Sequence, residues 1–164
     1  MSARQNIGLS AAAILLATSI AAPMIFKWEG DERVASPDPI GIPTACSGHT
    51  RGVVLGRRYS AEECRTLLVM DAAQHTAEIA NCIKVDVPPE SLAAFGSFAF
   101  NVGAPKFCTS TMNRKLNAGD LLGACAELSR WTYAGGRQLR GLVNRRAEER
   151  AMCERGAASL KAGS

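Results

Sequence analysis

The sequence predicts an α+β fold in which a small β-hairpin lobe faces a larger helical lobe across a cleft. Three observations carry that prediction. Gly41, Gly48 and Gly52 punctuate the segment after Asp38, so the chain turns back on itself as a hairpin there. A run of helix signals begins at Ser60 and continues almost to the C-terminal end. Leu92 to Val102 is apolar almost all round, the mark of a helix at the centre of a bundle. At 164 residues the chain suits one domain with one substantial core.

The elements follow in order. Ile7 to Phe26 is a stretch of twenty uncharged residues flanked by Arg4 and Lys27, enough for a helix of about 30 Å, the thickness of a bilayer's hydrocarbon core. Its composition is weak for a permanent anchor. Six alanines accompany Gly8, Ser10, Thr18, Ser19 and Pro23, leaving nine large apolar side chains. Each Leu, Ile or Phe among them favours insertion by only about 0.3–0.6 kcal/mol. Three readings stand at this point: a marginal membrane span, a signal peptide cleaved near Ser19-Ile20-Ala21, or a buried core helix.

Gly41 to Gly56 is expected to form a small twisted sheet, with Val53-Val54-Leu55 as its apolar strand. Ser60 and Glu63 form a capping box that opens a helix running to about Asn81. Leu67, Leu68, Ala72 and Ile79 can face a core, and His75 is expected to be structural or at the surface. Ile83 to Val87 reads as extended, and Pro88-Pro89 starts the next helix. Within it Ala93, Ala94, Gly96 and Ala99 permit close packing, Asn101 is expected near the cleft floor, and Gly103 stops it. Asp120 reads as the N-cap of a helix reaching Trp131, Ala134-Gly135-Gly136 as a flexible connector, and Leu142 to Arg155 as a final helix. Arg145–Glu149 and Arg150–Glu154 are i,i+4 pairs of the kind found on solvated faces. Gly156 to Ser164 reads as a frayed tail. The division implied is 1–27 for the N-terminal segment, 28–155 for the domain and 156–164 for the tail.

The net charge of +4 comes from scattered basic residues. With no basic block and no aromatic interleaving, nucleic acid is a poor partner, and anionic surfaces such as a bacterial wall or lipid headgroups are better ones. Cysteines stand at 46, 64, 82, 108, 125 and 153. None forms a CxxC, and only His49 and His75 could supply imidazole, so neither a metal site nor a cofactor is expected. An even count in a chain with an export-type start reads as three disulfides. Fifteen pairings are possible, of which Cys46–Cys64, Cys82–Cys108 and Cys125–Cys153 are the most economical.

Glu29, Asp38 and Thr44 supply the chemistry. A protonated carboxyl and an ionised one across a cleft are what hydrolysis of a glycosidic bond requires. The spacing Glu-x8-Asp-x5-Thr, with Gly41 between and Gly48-His49 after, resembles the catalytic signature of phage-type lysozymes (glycoside hydrolase family 24, endolysins). Residues 95–103 (FGSFAFNVG), 130–136 (RWTYAGG) and 141–153 (GLVNRRAEERAMC) resemble later blocks of that family in the same order. The N-terminal segment places the resemblance with lambdoid endolysins that begin with a signal-arrest-release segment. The phage-type lysozyme family often has an aromatic near the second carboxylate, where this chain has Ser36-Pro37-Asp38-Pro39.

The resemblance implies a lysozyme-like fold, a peptidoglycan substrate and no cofactor. It makes Glu29 the acid, with Asp38 and Thr44 handling a water, and Arg145, His49 and Asn101 in support. It also implies a monomer exported while anchored in the inner membrane through residues 7–26, then released uncleaved into the periplasm. Because no cysteine lies inside the anchor, release would proceed by refolding rather than thiol exchange. A lytic transglycosylase, a tethered wall-binding module and a cytosolic interaction protein are the rivals.

Overall fold

Ser10 caps the first helix by accepting from the Ala13 N–H at 3.2 Å, and Gly30 ends it with a φ of 79°. Between them lies α1, Ala11–Glu29, which passes Pro23 without stopping. The computed structural model describes residues 9–162. The segment expected to begin at Ile7 is therefore described from Leu9 onward, and Gly163 and Ser164 lie outside the described residues.

Beyond α1 the chain builds the small lobe. Strands β1 (Ser36–Pro37) and β2 (Pro43–Thr44) pair antiparallel, with Ser36 opposite Thr44 and Pro37 opposite Pro43. The expected strand at Val53-Val54-Leu55 does not form. Val54 and Leu55 are exposed, and the lobe closes instead through isolated bridges, Val34 to Arg58 and Ala45 to His49. A minor core of Ala35, Ala45, Cys46, Tyr59 and Cys64 fills it, with Val53 and Leu67 packed alongside.

The helical lobe follows. In α2 (Ala61–Ala80) the capping box is complete: the Ser60 hydroxyl accepts from the Glu63 N–H at 3.0 Å, and Glu63 accepts from the Ser60 N–H at 2.7 Å. Pro89 stands at the first position of α3 (Pro89–Val102), where its missing N–H costs nothing. All residues from Ser91 to Ala99 are buried, and α3 packs against α1, α2 and the long C-terminal helix, as its all-round apolarity requires. Two short helices, α4 (Ala104–Thr109) and α5 (Thr111–Asn117), then turn the chain around Cys108.

Asp120 does cap α6 (Leu121–Glu127), accepting from the Gly123 N–H at 2.8 Å. The helix ends earlier than Trp131, passing into a single 3-10 turn over Leu128–Arg130. Ala134-Gly135-Gly136 is not a flexible connector. It belongs to a second hairpin, β3 (Tyr133–Ala134) with β4 (Arg137–Gln138), and Gly135 and Gly136 both take positive φ in its two-residue turn.

The last helix, α7 (Arg140–Ala162), runs seven residues past the expected end at Arg155, so the described part of the tail is helical. Gly156 explains the extension. A Cβ there would meet the Ser91 backbone nitrogen at 2.6 Å, so the glycine allows close approach of α7 to α3 rather than stopping the helix. The three disulfides join Cys46 to Cys64, Cys82 to Cys108 and Cys125 to Cys153, the economical pairing. They link the small lobe to α2, the residues after α2 to α4, and α6 to α7.

Candidate active site

Glu29 is the last residue of α1, and its carboxylate meets the negative end of that helix's dipole. A cation answers it: Arg145 of α7 donates from Nη1 to Glu29 Oε1 at 2.6 Å. The Glu29 side chain remains 21% exposed while that of Arg145 is only 4% exposed, so the carboxyl reaches solvent past a buried guanidinium. The neighbouring residues fix the same turn. Glu148 Oε1 lies 2.5 Å from Lys27 Nζ, and its Oε2 accepts from the Trp28 indole N–H at 3.2 Å.

Arg145–Glu149 departs from the expectation of a solvated i,i+4 pair. Both side chains are buried, 4% and 0% exposed, with Arg145 Nε donating to Glu149 Oε1 at 3.1 Å. Ser97 of α3 donates its hydroxyl to the same oxygen at 2.8 Å, and its carbonyl accepts from Arg145 Nη2 at 3.2 Å. Arg146 pairs with Glu149 Oε2, donates to the Trp131 carbonyl at 3.1 Å and lies 4.8 Å from the centre of the Phe98 ring. Its remaining arm reaches the Asn101 side-chain oxygen, so Asn101 joins this network from the exposed end of α3. Arg150–Glu154, at 2.6 Å and about two-fifths exposed on each side, is the ordinary surface pair.

Asp38 sits in the hairpin turn, where among the described residues no charged side chain is hydrogen-bonded to it. Its Oδ1 accepts from the backbone N–H groups of Ile40 at 2.9 Å and Ile42 at 2.8 Å, an Asx-type closure that the flanking prolines tolerate. The Asp38 N–H donates to the Ile42 carbonyl at 2.9 Å, and the Thr44 hydroxyl donates to that carbonyl at 3.0 Å. Asp38 and Thr44 therefore meet through one residue's backbone. Gly41, with a φ of 88°, completes the turn.

His49 supports the small lobe from behind. Its Nδ1 lies 2.7 Å from Asp71 of α2 and its Nε2 donates to the Arg51 carbonyl at 2.7 Å. A polar recess bordered by His49, Arg51, Asp71, Gln74 and His75 opens there, with neither Glu29 nor Asp38 in its wall. Sequence reasoning missed Asp71, Glu148, Glu149, Ser97 and also Ser47. The Ser47 hydroxyl donates to the Gly30 carbonyl at 2.9 Å, tying the hairpin lobe to the residue after Glu29. Cys46 and Ser47 take left-handed φ values of 50° and 63°, a strained backbone of the kind found beside functional sites. Only the RxxxE spacing of Arg145 and Glu149 could have signalled any of this, and it reads the same on a wet face. Among the described residues no cluster of candidate ligands could hold a metal.

Comparison with known proteins gives this geometry a family. The sequence matches the family model for phage lysozyme over residues 26–149. It is 46% identical over 126 residues to a SAR-endolysin of Enterobacteria phage PA-2, covering 76% of each chain. The fold superimposes on the muramidase domain of SpmX from Asticaccaulis excentricus with a TM-score of 0.76 at 28% identity, over 81% of this chain and 93% of that one. P1 phage endolysin Lyz, compared for fold alone, gives 0.76 at 22% identity in its active form, over 91% and 96% of the two chains. Its secreted inactive form gives only 0.54 at 20% identity, over 82% and 95%. The chain belongs to the phage lysozyme family. Within it, it is an endolysin of the SAR kind, a lysozyme-type hydrolase that serves host cell lysis.

Proposed function

We propose that the enzyme hydrolyses the β-1,4 bond between N-acetylmuramic acid and N-acetylglucosamine in peptidoglycan, the reaction of glycoside hydrolase family 24 lysozymes (EC 3.2.1.17). Glu29 donates its proton to the leaving oxygen. Asp38 activates a water on the opposite face of the sugar, and Thr44 helps to hold that water. An inverting course of this kind requires carboxyl groups roughly 6.5–9.5 Å apart. The observation that carries the assignment is Glu29 at the open end of α1, part-exposed and hydrogen-bonded to a buried arginine.

Residues 1–27 serve first as an anchor and residues 28–155 as the catalytic domain. The chain is exported with α1 in the inner membrane and its active site facing the periplasm. Release of α1 lets it dock on the helical lobe and puts Glu29 in place, and the soluble enzyme acts as a monomer. The support is that α1 is long and apolar enough to cross a membrane, yet only Ala17, Thr18, Ala21 and Ile25 of it are fully buried on the folded enzyme.

Glu29→Gln matches the carboxyl in shape but has no acidic proton, so it should abolish muramidase turnover with the melting curve intact. Asp38→Asn and Thr44→Ala should fall well below wild type. Turbidity clearance of purified peptidoglycan, with chromatography of the products, checks this. Wild-type turnover by Glu29→Gln would sink the acid assignment, and 1,6-anhydro ends would make the enzyme a transglycosylase.

A further inference from the structure

Glu149 is fully buried on the inner face of α7, and the mechanism above gives it no task. One of its oxygens accepts from Ser97 Oγ at 2.8 Å and Arg145 Nε at 3.1 Å, and the other pairs with Arg146. Arg145 also donates to the Ser97 carbonyl at 3.2 Å. These two anchors orient the planar guanidinium, so the direction of its free arm toward Glu29 is decided inside the lobe, by residues that never reach the cleft.

Charge gives the second half of the argument. Arg145 and Arg146 are both buried, at 3% and 1% exposure. Burial pushes the Arg146 guanidinium below its ordinary value, and the charge of Glu149 works against that shift. A general acid has to keep its proton until the sugar oxygen takes it, whereas a cation in contact favours the ionised carboxylate. Without Glu149 the charge of Arg146, which acts on Glu29 through space, would add to that of Arg145 without its own buried counter-ion. Lys27 pairs with Glu148 and Asp31 with Arg33 beyond the helix end, Arg65 also acts on Asp31, and Glu32 stands three residues after Glu29. Among the described contacts, α3 presents only Ser97 to Arg145, with no charge of its own.

We infer that Glu149 is a positioning residue for the hydrolysis: it aims Arg145 at Glu29 and offsets the second buried cation, so that Glu29 answers one hydrogen-bonded arginine. The inference rests on Glu29 being the acid. The clearance rate of released enzyme on purified peptidoglycan, followed across pH, tests it.

In Glu149→Gln the amide still fills the site and still accepts from Ser97 and Arg145, but its charge is gone. The thermal midpoint should fall while KM stays unchanged and kcat drops by about tenfold or more. Activity is lost at high pH when the acid ionises. With more positive field at Glu29 that alkaline limb should move to lower pH by about one unit. Removing Arg146 as well, in Arg146→Gln/Glu149→Gln, should bring the limb back, whereas a purely structural role makes the double variant worse. Glu149→Asp keeps the charge and withdraws the carboxylate, so kcat should fall with the limb in place.

A Glu149→Gln enzyme with the wild-type limb, or one whose loss lies entirely in KM, overturns the inference. If that variant does not fold, Arg146→Gln carries the test. There the limb should move to higher pH, and an unmoved limb refutes the idea. Glu29→Gln separates the two levels. If it is dead while the Glu149→Gln limb stays put, only this inference fails, and if it is active the acid assignment fails with it.

Discussion

Two helices of similar composition meet different fates in this fold. Both α1 and α3 are built from alanine and large apolar residues, with few charges. In α3 every residue from Ser91 to Ala99 is buried. In α1 only Ala17, Thr18, Ala21 and Ile25 are, a single stripe at helical spacing, while Leu15 is 63% and Leu16 50% exposed. A helix apolar all round and buried all round needs no further reason than the core it occupies. One that is apolar all round and buried on one face has apolarity the folded enzyme does not use, and a second environment has to account for it. On the reading proposed above, that environment is the bilayer for α1. The narrow stripe is then a compromise: alanine at 17 and 21 lets α1 lie close to the lobe after release without making the span too hydrophobic to leave.

The largest effect that tests the contrast belongs to α3. Phe98 is fully buried, edge-on to Trp131 at 5.1 Å and 6.4 Å from Phe107, and Arg146 lies over its ring. Phe98→Ala should cost about 3–5 kcal/mol, measured by denaturant unfolding. It should also lower kcat, because the arginine network loses the surface it rests on. A cost below about 1 kcal/mol would mean that α3 is not the centre of the lobe.

A smaller effect belongs to the buried stripe of α1. Ala17 and Ala21 are 0% and 1% exposed, so Ala17→Leu with Ala21→Leu overpacks the seam at about 1–3 kcal/mol for each site. Undocking α1 withdraws Glu29 from Arg145, and the released protein should be folded elsewhere and nearly inactive. Ala11→Leu with Ala12→Leu, on exposed positions of the same helix, should leave released enzyme fully active while holding more of it in the membrane. Equal activity in the two double variants would erase the distinction between the faces.

How much of this was legible depends on how local each signal is. The Ser60–Glu63 box, Pro89 at a helix start and Asp120 as a cap are written within four residues, and all were readable. The disulfide pairing was readable because each half-cystine joins its neighbour along the chain. The β3–β4 hairpin was hidden: its strands are two residues long and exposed, with no alternation to mark them. Gly156 was misleading because close helix packing and helix termination both call for glycine, and only the position of Ser91 tells them apart. In the site, Glu29, Asp38 and Thr44 stood out through their spacing, and Arg145 through resemblance. Glu149 did not, since an i,i+4 pair reads alike on a wet face and a dry one. What decides between them is the arrival of α3, a contact 52 residues away in sequence.

The smallest effect on the folded enzyme is the most telling for α1. Leu15 and Leu16 contribute little to the packed structure, so Leu15→Ser with Leu16→Ser should change the stability of released enzyme by no more than about 0.5 kcal/mol per site. In the bilayer the same change should matter. Each leucine favours insertion by about 0.3–0.6 kcal/mol, and a polar hydroxyl replaces it in a span that is marginal already. The variant should leave the membrane early and raise the soluble fraction before any trigger. Fractionation beside a thermal melt reads both effects at once. A large drop in the melt would place the two leucines in the core after all. An unchanged melt with an unchanged membrane fraction would leave the exposed face of α1 without the bilayer as its reason.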